Sequence, residues 1–111
     1  MENFETLAIR TQTERTQFDE HSTPLYLTSS FVFEDAEDMR ASFAEEKDKN
    51  LYSRFSNPNV TEFVDKMVKM EGAESGYAFA TGMAAIYSTF AALLSAGDHI
   101  VSCQSVFGST H

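Results

Sequence analysis

Gly76-Tyr77-Ala78-Phe79-Ala80-Thr81-Gly82-Met83-Ala84-Ala85-Ile86-Tyr87 is the stretch on which the fold turns. Its first five residues are apolar and of strand length, and Thr81-Gly82 breaks them. From about Met83 to Leu94 the apolar residues Met83, Ala84, Ile86, Tyr87, Phe90, Ala91 and Leu94 run nearly all round a helix. Such a helix is expected to be buried on several sides. Gly97-Asp98 then punctuates, and His99 to Cys103 predicts a second strand. Strand, helix, strand is an α/β unit, with the strands expected to be parallel.

Working outward, Asn57-Pro58 opens another helix. Asn is a favoured N-cap, and Pro suits the first helical position, where its missing N–H would have no partner. Val60, Phe63, Val64, Met67 and Val68 follow at helical spacing, and Gly72 is placed to cap the C-terminus. Residues 1 to 56 differ: they are polar, acidic and weakly periodic. Thr23-Pro24-Leu25-Tyr26-Leu27 is extended and proline-marked, and Phe31-Val32-Phe33 has strand or extended character. A short helix is expected around Asp35 to Ala44, with Met39 and Phe43 one turn apart. This half has little core of its own, so residues 1–56 are expected to be an arm lying on another surface, and 57–111 the beginning of an α/β domain. Parallel sheets need helices on both faces. Two strands and two helices leave such a sheet bare, so the sequence is expected to be the leading piece of something longer.

Eight Lys+Arg against seventeen Asp+Glu give a net charge of −9. That sign argues against a nucleic-acid or anionic-membrane surface, which needs clustered cations. Seven of the acids fall between Glu34 and Asp48, where a solvated helical face and loop is expected. The single cysteine, Cys103, excludes an intrachain disulfide and is expected to be a small buried hydrophobe. Neither a signal-peptide pattern nor a membrane-length apolar run is present, and a cytoplasmic setting is expected.

Chemistry concentrates at three places. Gly82 and Met83 lie where a strand turns into a helix, so their N–H groups and the helix's partial positive charge suit an anion, phosphate above all. Tyr52 and Arg54 add a hydroxyl and a planar, bidentate guanidinium. Phe107 follows the second strand at its C-terminal end, where open α/β sheets bind ligands. Singly each has a plainer explanation: a structural glycine, a surface pair, a core aromatic.

Taken in order, they carry a resemblance. Tyr52-Ser53-Arg54-Phe55-Ser56-Asn57-Pro58, Met70-Glu71-Gly72-Ala73-Glu74, Ala80-Thr81-Gly82-Met83-Ala84-Ala85-Ile86, Ala96-Gly97-Asp98-His99-Ile100-Val101 and Phe107-Gly108-Ser109-Thr110 are similar to the N-terminal part of the Cys/Met-metabolism enzymes that use pyridoxal 5′-phosphate (PLP). Ser22 to Phe31 resembles that family's arm, so the likeness covers about residues 6–111. The fold implied is the start of the large domain of PLP fold-type I, aspartate-aminotransferase-like, preceded by an arm that contacts a neighbouring subunit.

By that resemblance Gly82 and Met83 give N–H groups to the PLP phosphate, and Tyr52 and Arg54 reach the phosphate of the neighbouring subunit's cofactor. Phe107 stacks over the pyridine ring, where the family usually has a tyrosine; the stacking face is kept and the hydroxyl lost. The family is typically a tetramer built from dimers that share sites, and its substrates are small amino acids. The Phe-Gly-Ser-Thr version points to the O-acetyl- or O-succinylhomoserine sulfhydrylases, which eliminate a γ-acyloxy group and add sulfide or a thiol. Cystathionine γ-synthase and methionine γ-lyase are the alternatives. The family's Schiff-base lysine matches none of Lys47, Lys49, Lys66 and Lys69. The 111 residues alone are therefore expected to hold no catalytic residue and to be inactive. Two other readings stay open: an inactive fragment that acts only by associating with full-length subunits, and an unrelated small α/β binding domain.

Overall fold

The computed structural model describes residues 3–11 and 15–111. It divides into two compact units, one ending at Gly76 and one running from Tyr77 to His111.

In the first unit, α1 (Phe4–Arg10) begins where the Asn3 Oδ1 accepts the Glu5 N–H at 3.0 Å. The sequence reading had placed no element there, although the Asn3 cap and the apolar spacing of Phe4, Leu7 and Ala8 are both legible in it. A segment without helix, Pro24 to Phe33, precedes α2 (Ala36–Phe43), which starts at the Asp35 cap. The segments around Ser30 and Tyr52 meet in one antiparallel bridge. There the Phe31 N–H donates to the Leu51 carbonyl at 3.2 Å and the Ser53 N–H to the Ser29 carbonyl at 2.9 Å. Helix α3 (Pro58–Glu71) has the expected ends: Asn57 caps it, and Gly72 closes it at φ 63° in the left-handed region. Helix α1 packs against α3.

The second unit holds α4 (Gly82–Leu93), capped by the Thr81 hydroxyl, which accepts the Ala84 N–H at 3.1 Å. A single 3₁₀ turn, Gly108–Thr110, packs against it. The two expected strands are a correction. Neither 76–80 nor 99–103 forms a ladder among the described residues, which are helical with one bridge. A strand is defined by the partner that takes its N–H and C=O groups, and these segments have none here. The first is nevertheless extended: Tyr77 and Phe79 stand on the same side with ring centroids 5.1 Å apart, the spacing of alternate residues on one face.

Burial departs from expectation for the same reason. No hydrophobic side chain among the described residues is buried. Helix α4, expected to be covered, leaves Tyr87 73% and Leu93 75% exposed. Cys103, expected inside, is exposed. What is buried is polar: Thr11, Asp38, Ser42, Asn57 and Glu62. Among the described residues no helix is long and apolar enough to cross a membrane.

The acidic run hides one organised centre. Asp38, 7% exposed, accepts the Glu34 N–H at 3.0 Å and the ammonium groups of Lys47 and Lys49 at 2.5 Å each. Its own N–H donates to the Asp35 cap at 2.7 Å. The hydrogen bond from Lys47, then that from Lys49, holds the carboxyl well below the usual carboxylate range. The other acids of the run are exposed. Charge composition alone does not single out Asp38; the position three residues after an Asp cap is the signal that could have.

Candidate functional site

Tyr52 and Arg54 lie in the first unit, on a tight turn that leads from the bridge into α3. The Phe55 and Ser56 N–H groups both donate to the Tyr52 carbonyl, at 2.8 and 3.0 Å. This turn throws the Arg54 guanidinium across two rings: its carbon lies 5.3 Å from the Tyr52 ring centroid and 5.4 Å from that of Phe55. Stacking of this kind fixes a planar cation without using its N–H donors. Among the described residues no carboxylate pairs with Arg54, although Arg40, Lys47, Lys49 and Lys66 all have one. A guanidinium held by its faces, with its edges open, is suited to an anion from outside the unit.

Gly82, Met83 and Phe107 lie in the second unit. Gly82 and Met83 are the first two residues of α4. The cap satisfies the Ala84 N–H, and the Ala85 N–H reaches the Thr81 carbonyl at 3.1 Å. The N–H groups of Gly82 and Met83 have no helical carbonyl four residues before them, and neither has a partner among the described residues. A Cβ built on Gly82 would meet nothing within 4 Å. The glycine therefore borders open space at the positive end of a helix. Phe107, 76% exposed, starts the 3₁₀ turn, whose Thr110 N–H returns to the Phe107 carbonyl at 2.7 Å. Its ring is free to stack on a planar ligand.

The set fits PLP on chemistry. Two open N–H groups, an unneutralised guanidinium and a phenol are all donors to a phosphate, with no carboxylate among them. An exposed aromatic face complements the apolar ring. Each group is described within its own unit.

Sequence reasoning named these five residues but missed what holds Arg54 in place. Asn57, read only as a helix cap, also donates its Nδ2 to the Tyr26 carbonyl at 3.1 Å and to the Ser53 Oγ at 3.0 Å. Asn59 was not singled out at all. Its Oδ1 accepts the Tyr26 N–H at 2.8 Å, and its Nδ2 donates to the Pro24 carbonyl at 2.7 Å. The repeated Asn either side of Pro58 was the available signal.

Comparison with known proteins covers nearly the whole chain. The sequence model of the Cys/Met metabolism PLP-dependent enzymes matches residues 5–111. The O-succinylhomoserine sulfhydrylase of Pseudomonas aeruginosa is 47% identical over 107 residues, which are 96% of this chain and 27% of that protein. The L-methionine gamma-lyase of Porphyromonas gingivalis is 40% identical over 89 residues, 80% of this chain and 22% of that protein. Among solved structures, a Campylobacter jejuni protein assigned as an O-acetylhomoserine (thiol)-lyase superposes with a TM-score of 0.89 at 30% identity. The match covers 99% of this chain and 27% of that one, whose structure carries an N′-pyridoxyl-lysine-5′-monophosphate. The chain thus spans about a quarter of the length of the curated relatives it matches, and on the family match and these identities it belongs to the Cys/Met metabolism PLP-dependent enzymes.

Proposed function

We propose that these residues are the N-terminal part of a PLP-dependent O-acylhomoserine sulfhydrylase, O-succinyl- or O-acetylhomoserine being the substrate class. The observation that carries the reading is the pair of unpartnered N–H groups at the start of α4, opening onto unfilled space at Gly82. The relatives named above supply the reaction type. PLP, when bound, supplies the electron sink for γ-elimination and γ-replacement. This chain's residues bind and orient it. Gly82 and Met83 hold the phosphate of one cofactor, and Phe107 supports the ring. Tyr52 and Arg54 reach the phosphate of a neighbouring subunit's cofactor, which makes the arm of residues 1–56 part of a shared site and the protein at least a dimer, with a tetramer of such dimers the natural assembly.

The lysine that carries the cofactor lies in another part of the protein. Three of the four lysines here are engaged with carboxylates, Lys47 and Lys49 with Asp38 and Lys66 with Glu62, which supports that division. The 111 residues by themselves are inactive in this reading. A cytoplasmic setting accords with the lone Cys103. Methionine γ-lyase is the second reading, favoured by the 40% identity to the Porphyromonas protein.

The test is product analysis with the full-length protein. Homocysteine formed from O-succinylhomoserine or O-acetylhomoserine plus sulfide supports the sulfhydrylase. Methanethiol and ammonia from methionine, without homocysteine synthesis, would replace it with the lyase.

A further inference from the structure

Arg54 is useful to an anion only if its turn is held still, and the turn has no apolar core beneath it: Tyr52, Arg54 and Phe55 are all exposed. What holds it is a set of side-chain bonds to main chain. Upstream, the bridge between Ser30 and Tyr52 fixes the entry to the turn. Downstream, Asn59 treats the segment Pro24–Tyr26 as a strand would, accepting from one residue's N–H at 2.8 Å and donating to another's carbonyl at 2.7 Å. Asn57, buried, divides its amide. Its Oδ1 caps α3 by accepting the Asn59 N–H at 2.9 Å, while its Nδ2 donates to the Tyr26 carbonyl and to the Ser53 Oγ. The Ser53 hydroxyl in turn donates to the Thr28 carbonyl. Arg54 thus sits between two anchored points, Ser53 and Asn57, with only Phe55 and Ser56 intervening on one side.

We propose that Asn57 and Asn59 are positioning residues for Arg54. By clamping the main chain of Pro24–Tyr26 to the start of α3, they hold the Tyr52–Ser56 turn in the conformation that presents the guanidinium to phosphate. The inference rests on Arg54 being a phosphate ligand. Each freed backbone residue regains roughly 1–2 kcal/mol of conformational entropy, so a loosened turn would have to be re-ordered at every binding event.

The experiment measures PLP and pyridoxal dissociation constants in the full-length protein, since pyridoxal lacks only the phosphate. Asn59→Ala removes both main-chain bonds at a helical position where Ala is well tolerated. Asn57→Ser keeps a helix cap and removes the amide donor. Either substitution is expected to weaken PLP about tenfold, from two lost hydrogen bonds, and to leave pyridoxal unchanged. Asn59→Ala added to Arg54→Ala is expected to cause no further loss, because the clamp acts through the guanidinium. Equal losses for PLP and pyridoxal, or full additivity with Arg54→Ala, would overturn the proposal in favour of a general stabilising role. An Arg54→Ala protein with unchanged PLP affinity would instead remove the underlying phosphate-ligand reading, and the clamp with it. Should Asn57→Ser fail to fold, Asn59→Ala decides the matter alone.

Discussion

Gly82 is the residue at which stability and function separate most cleanly. A methyl group there meets no atom within 4 Å, and the backbone is ordinary right-handed helix, so Gly82→Ala removes no packing and restricts the unfolded chain. Its melting temperature in the full-length protein is expected to be unchanged or slightly raised. The same methyl occupies the space a phosphate would fill, so PLP affinity is expected to fall roughly 10- to 100-fold, the worth of a charge-assisted hydrogen bond. Titration followed by cofactor absorbance, alongside thermal unfolding, reads both. Phe107 has the opposite logic. Its exposed ring supports little of the chain, so Phe107→Ala is expected to loosen the cofactor while Phe107→Tyr, which keeps the ring face, binds PLP as the parent does. Recovery of protein fluorescence on cofactor release distinguishes the two variants.

The helices show which information is local. Asn57-Pro58, Gly72, Asp35 and Thr81-Gly82 mark helix ends by side-chain and backbone chemistry that needs no distant partner, so α2, α3 and α4 were legible within a residue or so. Gly72 tests that chemistry: at φ 63° a side chain is strained, and Gly72→Ala is expected to cost roughly 1–2 kcal/mol in urea unfolding, Gly72→Asn less. Segments 76–80 and 99–103 have the composition of strands, but pairing is a property of two segments, and neither is paired among the described residues. The cations that Asp38 pairs with were illegible for a related reason: they lie 9 and 11 residues away across a loop. The candidate site residues were named through resemblance, whereas the Asn57–Asn59 clamp, which depends on the path of residues 24–26, was not foreseen. Because the folded Asp38 carboxyl is depressed below its ordinary value of 3.8, its contribution is fully present above that pH and is lost as the pH falls through the lower folded value. Asp38→Asn is expected to lower stability at neutral pH and to flatten the acid limb of the stability profile. Glu37→Gln, at an exposed ion pair, is expected to change neither.

At the scale of the whole molecule, the distinguishing fact is a chain with polar burial and an uncovered apolar surface. Phe18, Leu25, Leu27, Val32, Tyr87 and Val101 are all exposed, Val101 at 98%. Exposed apolar side chains are what a hydrophobic dye binds. The isolated 111 residues are therefore expected to bind a hydrophobic dye and to unfold without a sharp transition, as calorimetry would show; a cooperative transition with no dye binding would mean they form a self-sufficient domain. The central claim is that this segment supplies the phosphate cradle of a PLP enzyme. Its most direct test is the absorption spectrum of the purified full-length protein during PLP titration, compared with its Gly82→Ala variant. The expected result is a saturable band of lysine-bound PLP in the parent, with the variant saturating only at much higher PLP. No such band, or identical titrations for the two proteins, would contradict the claim.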